Sequence, residues 1–270
     1  MERTALVNQI KSKQSFLCVG LDTDPNKIPV HLRNREDAII EFNRKIIEAT
    51  KAYCIAYKIN TAFYEAMGSK GWEIMEQTVK EIPSTHLKIA DAKRGDIGNT
   101  SDHYARAFFE TIPFDAITVA PYMGADSIRP FLAYENKWTI VLGLTSNSGA
   151  NDFEMQEMKS GGRLYEKVFE IAAKWGNINN LMFVAGATQP KELNRIRKIV
   201  PDNFLLVPGV GFQGGSLEEV AKHGMNKDIG LLVNVSRAII YAKEDEHFAE
   251  EAAIIAQQYQ VEMNGLMSSR

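Results

Sequence analysis

Apolar residues fall along this chain in two alternating patterns. Short, nearly unbroken runs occur at FLCVGLD (16–22), CIAYKIN (54–60), HLKIADA (86–92), DAITVAP (115–121), WTIVLGLT (138–145), LMFVAGA (181–187), NFLLVPG (203–209) and IGLLVNVS (229–236). Between them lie longer stretches, near 37–51, 70–81, 101–110, 126–134, 162–175, 190–199, 216–223 and 246–260, where apolar positions recur every three or four residues. Ile39, Ile40, Phe42, Ile46 and Ile47 trace one such stripe, as expected of a helix with a single covered face. Runs without polar alternation predict strands buried on both sides, the situation of a parallel sheet wrapped in helices.

Eight strands alternating with eight helices in 270 residues predict an α/β protein in which residues 1–270 form a single (β/α)8 barrel, or TIM barrel. An open doubly wound sheet is the competing arrangement, but no strand runs into a G-x-G-x-x-G turn. No low-complexity segment or Pro/Gly/Ser-rich linker divides the chain.

Composition narrows the function classes. Apolar residues make up 45% and charged residues 24%, ordinary values for a globular protein. A net charge of −3 offers no basic surface for nucleic acid or membrane lipid. The first fifteen residues lack the apolar core of a signal peptide, and no apolar run reaches the roughly 18 residues of a membrane span. Cys18 and Cys54 lie inside strand-like runs without a CxxC spacing, which reads as reduced core cysteine in a cytoplasmic protein.

In a barrel of this kind, chemistry gathers at the C-terminal ends of the strands. Those ends are rich in charge. The first ends in Asp22, the second in Lys58 and Asn60, and the third in Asp91, Lys93 and Asp96. The fifth leads to Ser146, the seventh into PGVGFQGG with Gln213, and the eighth into NVSRAI with Ser236 and Arg237. Barrel rims are polar in any case, so one such residue says little. Their convergence on a single mouth says more. Glycine-rich loops after the last two strands often bind phosphate through backbone N–H groups, and an arginine beside them supplies a forked charged donor. A phosphorylated small molecule is the ligand this pattern implies. His31, His86, His103, His223 and His247 are scattered without metal-ligand spacing. Asp91 and Asp96 could together hold Mg²⁺, but Lys93 between them already balances their charge. Ser146 has no recognisable His/Asp partners for nucleophilic catalysis.

The segments GLDTDP, YKIN, AFYEAMG, IADAKRGDIGNT, APYMGADS, LTSNSG, VPGVGFQGG and VSRAI occur in order from about residue 16 to 240. Together they resemble the orotidine 5′-phosphate decarboxylase family, in its longer bacterial form. D-x-K-x-x-D alone is shared with related barrels that act on sugar phosphates with Mg²⁺. Lys58, Ser146, the GFQGG glutamine and the strand-8 arginine are what separate this family from them.

The resemblance implies loss of CO2 from orotidine 5′-monophosphate to give uridine 5′-monophosphate, the last step of pyrimidine nucleotide synthesis, with no cofactor and no metal. It assigns Lys93 as proton donor, Asp91 as the carboxylate beside the substrate's own, and Asp22 and Lys58 to the ribose hydroxyls, with Asn60 counted among the substrate-binding residues. Gln213 and Arg237 fall at the phosphate, and Ser236 is counted with the substrate-binding residues. Ser146 matches the pyrimidine contact, although the long segment ANDFEMQEMKSGGR that follows leaves Thr145 and Asn147 as alternatives there. Asp96 and Thr100 match residues that reach into a neighbouring subunit, implying a homodimer. Two other functions stay open on the residues alone: a Schiff-base aldolase using Lys58 or Lys93, and a nucleotide-binding barrel without turnover.

Overall fold

Continuous apolar runs stay continuous because helices cover the outer face of each strand while the lumen of the barrel fills with the inner side chains. A computed structural model of the chain describes every residue except Gln189, Phe212, Gln213 and Arg270. All eight runs form strands: β1 (Leu17–Gly20), β2 (Ala56–Asn60), β3 (Leu87–Arg94), β4 (Ala116–Val119), β5 (Trp138–Leu144), β6 (Leu181–Ala185), β7 (Leu205–Pro208) and β8 (Leu231–Val235). They pair in parallel in chain order, and β8 returns to β1 with Val19 opposite Val235, closing the barrel. The open-sheet alternative is thereby excluded.

The helices are α1 (Arg3–Lys13), α2 (Val30–Arg33), α3 (Ala38–Thr50), α4 (Thr61–Glu65), α5 (Ser69–Glu81), α6 (Gly98–Arg106), α7 (Ala125–Leu132), α8 (Leu164–Ala172), α9 (Pro190–Ile199), α10 (Leu217–Gly224), α11 (Arg237–Ile240) and α12 (Phe248–Ser268). The α3 stripe behaves as its spacing predicts, with Ile39, Phe42, Ile46 and Ile47 buried. α12 runs eight residues past the predicted stretch and lies across α3, where Phe248 stacks on Phe42 with ring centroids 5.0 Å apart. Near its end Met263 is fully buried, and its sulfur accepts from the Phe16 N–H at 3.4 Å, just before β1.

α1 has no counterpart among the predicted helices. Only Arg3, Leu6 and Ile10 of it are buried, too few apolar positions to make a stripe. It is held largely by polar contacts. The Arg3 guanidinium donates to the carbonyls of Ile178 and Asp202 at 2.8 Å and to Asp228 at 2.9 Å, and lies over the Phe204 ring. These contacts fix α1 at the N-terminal end of the barrel, opposite the charged rim. α2, α4 and α11 were also not foreseen, being too short to show any period.

Both cysteines are buried and unbridged, as their positions in the strand runs suggest. Among the described residues, no helix is long and apolar enough to cross a membrane.

Candidate active site

Strand register brings the rim charges together. Gly20 lies opposite Lys58 and Asn60 opposite Asp91, so the ends of β1, β2 and β3 stand side by side. Lys58 is 4% exposed. Its Nζ donates to Asp91 Oδ2 at 3.0 Å and to Asp22 Oδ1 at 3.4 Å. Lys93 Nζ donates to the other Asp91 oxygen, Oδ1, at 2.6 Å, which also accepts from the Thr118 hydroxyl at 2.9 Å. Asp22, Lys58, Asp91 and Lys93 thus form one continuous array of alternating sign.

Burial works against the two central charges of this array, Lys58 and Asp91, and their partners outweigh it. Desolvation alone would push the Lys58 ammonium down, yet Asp22 and Asp91 hold it above the ordinary lysine value. Desolvation alone would push the Asp91 carboxyl up, yet Lys58 and Lys93 hold it well below the usual carboxylate range. Two acids and two bases sum to zero, so a group that is costly to bury alone becomes tolerable in the set.

Two cavities meet at this array, sharing Lys58, Asp91 and Pro208. One, about 160 Å³, is edged by Asp22, Asn60, Gly209, Val210, Ser236 and Arg237. The other, about 200 Å³, has Leu142, Val184 and Leu206 as an apolar floor and Lys93, Thr145, Ser146 and Asn147 as its polar edge. A flat ring with polar substituents suits the second, and a charged sugar phosphate suits the first. In the loop beside Arg237, Gly209 and Gly211 take φ of 95° and 77°, values that a side chain would resist.

Several predicted residues have local duties as well. Asn60 Oδ1 accepts from the Ala62 N–H and caps α4 while edging the first cavity. Ser236 Oγ accepts from Asn234 Nδ2 at 3.2 Å and lies so close to β1 that a Cβ on Gly20 would stand 1.8 Å from it. The long segment after Ser146 folds back onto the end of β5. Glu154 there accepts from the Thr145 N–H at 2.7 Å and lies 2.8 Å from its hydroxyl, which is also 2.7 Å from Asn147 Oδ1, so Thr145 is engaged by its own loop.

Asp96 and Thr100 are not among the side chains bonded to the array. The Asp96 carboxylate accepts from the Ile97 N–H at 2.8 Å and joins none of the ion pairs among the described residues, while Thr100 is exposed in the first turn of α6. Gln213 lies outside the described residues. Among the described residues, no three His, Cys, Asp or Glu side chains gather as a metal ion would require.

Sequence reasoning missed Thr118, Asn234 and Glu154. Thr118 reads as one more β-branched core residue of DAITVAP, and Glu154 as one acid in a polar insertion. Asn234 left a signal: a lone amide inside an apolar strand, which edges the first cavity.

A closed parallel barrel with an Asp–Lys–Asp–Lys array at its C-terminal rim defines an enzyme of the (β/α)8 class. The profile of the orotidine 5′-phosphate decarboxylase / HUMPS family matches residues 15–252, and the chain belongs to that family. Among curated relatives, the orotidine 5′-phosphate decarboxylase of Phocaeicola vulgatus is 57% identical over 270 residues, covering 99% of each chain. That of Flavobacterium johnsoniae is 55% identical over 273 residues, covering 100% of each. Among solved structures, the OMP decarboxylase of Leishmania donovani superposes with a TM-score of 0.80 at 36% identity, covering 97% of this chain and 99% of that one.

Proposed function

We propose that the chain removes CO2 from orotidine 5′-phosphate to give uridine 5′-phosphate, with Lys93 as the proton donor. The carrying observation is the hydrogen-bonded series Asp22–Lys58–Asp91–Lys93 at the junction of a polar and an apolar-floored cavity. Curated relatives at 55–57% identity carry the decarboxylase name rather than that of the sugar-phosphate branch.

The chemistry follows from charge. When the bond from C6 to the carboxylate breaks, its electron pair stays on C6 of the pyrimidine, and CO2 departs neutral. The Lys93 ammonium stabilises that pair electrostatically and then delivers a proton to it, and solvent returns the proton to the amine. The balance closes with one proton in and one CO2 out, and no electron acceptor is consumed. Because Asp91 and Lys58 hold Lys93 in place beforehand, little reorganisation is required as charge develops. Asp22 and Lys58 take the ribose hydroxyls, with Asn60 beside them. Arg237, the glycine-rich loop, Gln213 and Ser236 take the phosphate, and Ser146 the pyrimidine amide.

In this reading the working unit is a cytoplasmic homodimer in which Asp96 and Thr100 complete the partner's site. That Asp96 joins none of the ion pairs among the described residues and that Thr100 is exposed support that arrangement.

The test is loss of orotidine 5′-phosphate absorbance with purified protein in EDTA. Full turnover is expected, because Lys58 and Lys93 already supply the positive charge at the reacting centre. Turnover only after added Mg²⁺ would move the chain toward the metal-dependent sugar-phosphate barrels.

A further inference from the structure

The ladder between β3 and β4 breaks at the catalytic array. Ile89 and Ala90 pair with Ala116 and Ile117, but the next pair is Arg94 with Val119. Asp91, Ala92 and Lys93 therefore face a single residue, Thr118. Surplus residues in a bulge lose their ladder partners, and a buried N–H without an acceptor is costly. Lys93 also takes a left-handed backbone conformation, φ 48°, which a residue with a side chain adopts only under constraint.

Thr118 supplies that constraint. It is fully buried, and its hydroxyl accepts from the Lys93 N–H at 2.9 Å. An N–H can only donate, so the hydroxyl's single proton is free to go elsewhere. It goes to Asp91 Oδ1 at 2.9 Å, the same oxygen that holds Lys93 Nζ at 2.6 Å. The contacts close a ring: Lys93 backbone, Thr118 hydroxyl, Asp91 carboxylate, Lys93 ammonium.

We propose that Thr118 is a positioning residue for proton delivery, fixing both the backbone of Lys93 and the carboxylate that aims its ammonium. It acts through Asp91 and Lys93. The proposal rests on the reading of Lys93 as proton donor given above. A hydroxyl is what the ring needs, so valine, with nearly the same shape, removes the function while keeping the packing.

Thr118→Val and Thr118→Ser separate these contributions. Misplacing a reacting group by about 1 Å can cost about 100-fold, so kcat of Thr118→Val should fall about 10- to 100-fold. KM and the affinity for uridine 5′-phosphate should stay within about threefold, because ribose and phosphate contacts are untouched. Thr118→Ser keeps the hydroxyl and should retain kcat within about threefold of wild type. A Thr118→Val enzyme within about twofold of wild-type kcat overturns the proposal, and so does equal damage in valine and serine variants. If Thr118→Val does not fold, Thr118→Ala against Thr118→Ser gives the same comparison. A wild type without turnover overturns the function proposed above and this inference with it, whereas an active wild type with an unimpaired valine variant removes only the inference.

Discussion

Lys93 Nζ lies 2.6 Å from Oδ1 of Asp91, two residues earlier on the same strand, yet the Lys93 side chain is 50% exposed and that of Asp91 only 12%. The asymmetry fits a division of labour. A buried carboxylate gives a fixed field, while a half-exposed ammonium can meet a ligand and regain its proton from water. The pair forms where the ladder between β3 and β4 breaks, with Thr118 of β4 bonded to both the Lys93 N–H and the Asp91 carboxylate.

Lys93→Ala should therefore abolish turnover while uridine 5′-phosphate still binds. General acid catalysis alone is worth about 10²–10⁴-fold, and the loss should exceed this because the same charge stabilises the carbanion. Initial rates and a product titration check both halves. A variant within tenfold of wild type would remove the proton-donor assignment.

Arg237→Ala should lower kcat as well as raise KM. Binding energy from a remote group can be used to orient the reacting ring, so its loss reaches the chemical step. A charge-assisted contact of this kind contributes roughly 1.5–3 kcal/mol. Orotidine, lacking the phosphate, should be a very poor substrate for wild type and variant alike. Comparable rates on nucleoside and nucleotide in the wild type would show that no phosphate site lies beside Arg237.

The strands were legible because a parallel barrel buries both faces of each one, leaving a run that a helix cannot imitate at that length. α1 was not, because Arg3 does by hydrogen bonding what an apolar stripe would otherwise do. Among the rim residues, Asp22, Lys58, Asp91 and Lys93 stood out because charges at the ends of three consecutive apolar runs converge on one mouth. Thr118 did not stand out because threonine is an ordinary strand residue, and its role depends on the break in pairing between β3 and β4. That break is a property of two strands together, invisible in either sequence alone.

Acid should act at the far end of the barrel. His86 is buried there, with Nε2 2.7 Å from Lys13 Nζ and 2.9 Å from the Lys51 carbonyl. Burial first, and then the Lys13 charge, push its imidazole down to about 4 from the ordinary 6.5. The unfolded chain thus takes up this proton at a higher pH than the folded one. The contribution to stability is complete above about 6.5 and is lost as pH falls toward about 4. Between pH 7 and pH 5, wild type should lose more Tm than His86→Gln, which has no such proton to bind. Equal losses would mean that His86 titrates normally in the fold.

The shared site can be tested by mixing chains. Asp96 makes no ion pair among the described residues of its own chain, as expected of a residue that completes the partner's array. If each site combines Asp91 and Lys93 of one subunit with Asp96 of the other, Asp91→Ala and Asp96→Ala homodimers should both be nearly inactive. Unfolding the two together and refolding them should yield about half mixed dimers by random pairing. In a mixed dimer, one site carries both defects and the other carries neither. Activity should therefore return to about a quarter of wild type per total site. Were Asp96 to serve its own chain, every site would keep one defect whatever the pairing. Absence of recovery, with chain exchange shown by mass or a charge tag, would place Asp96 in its own subunit's site or outside the chemistry altogether.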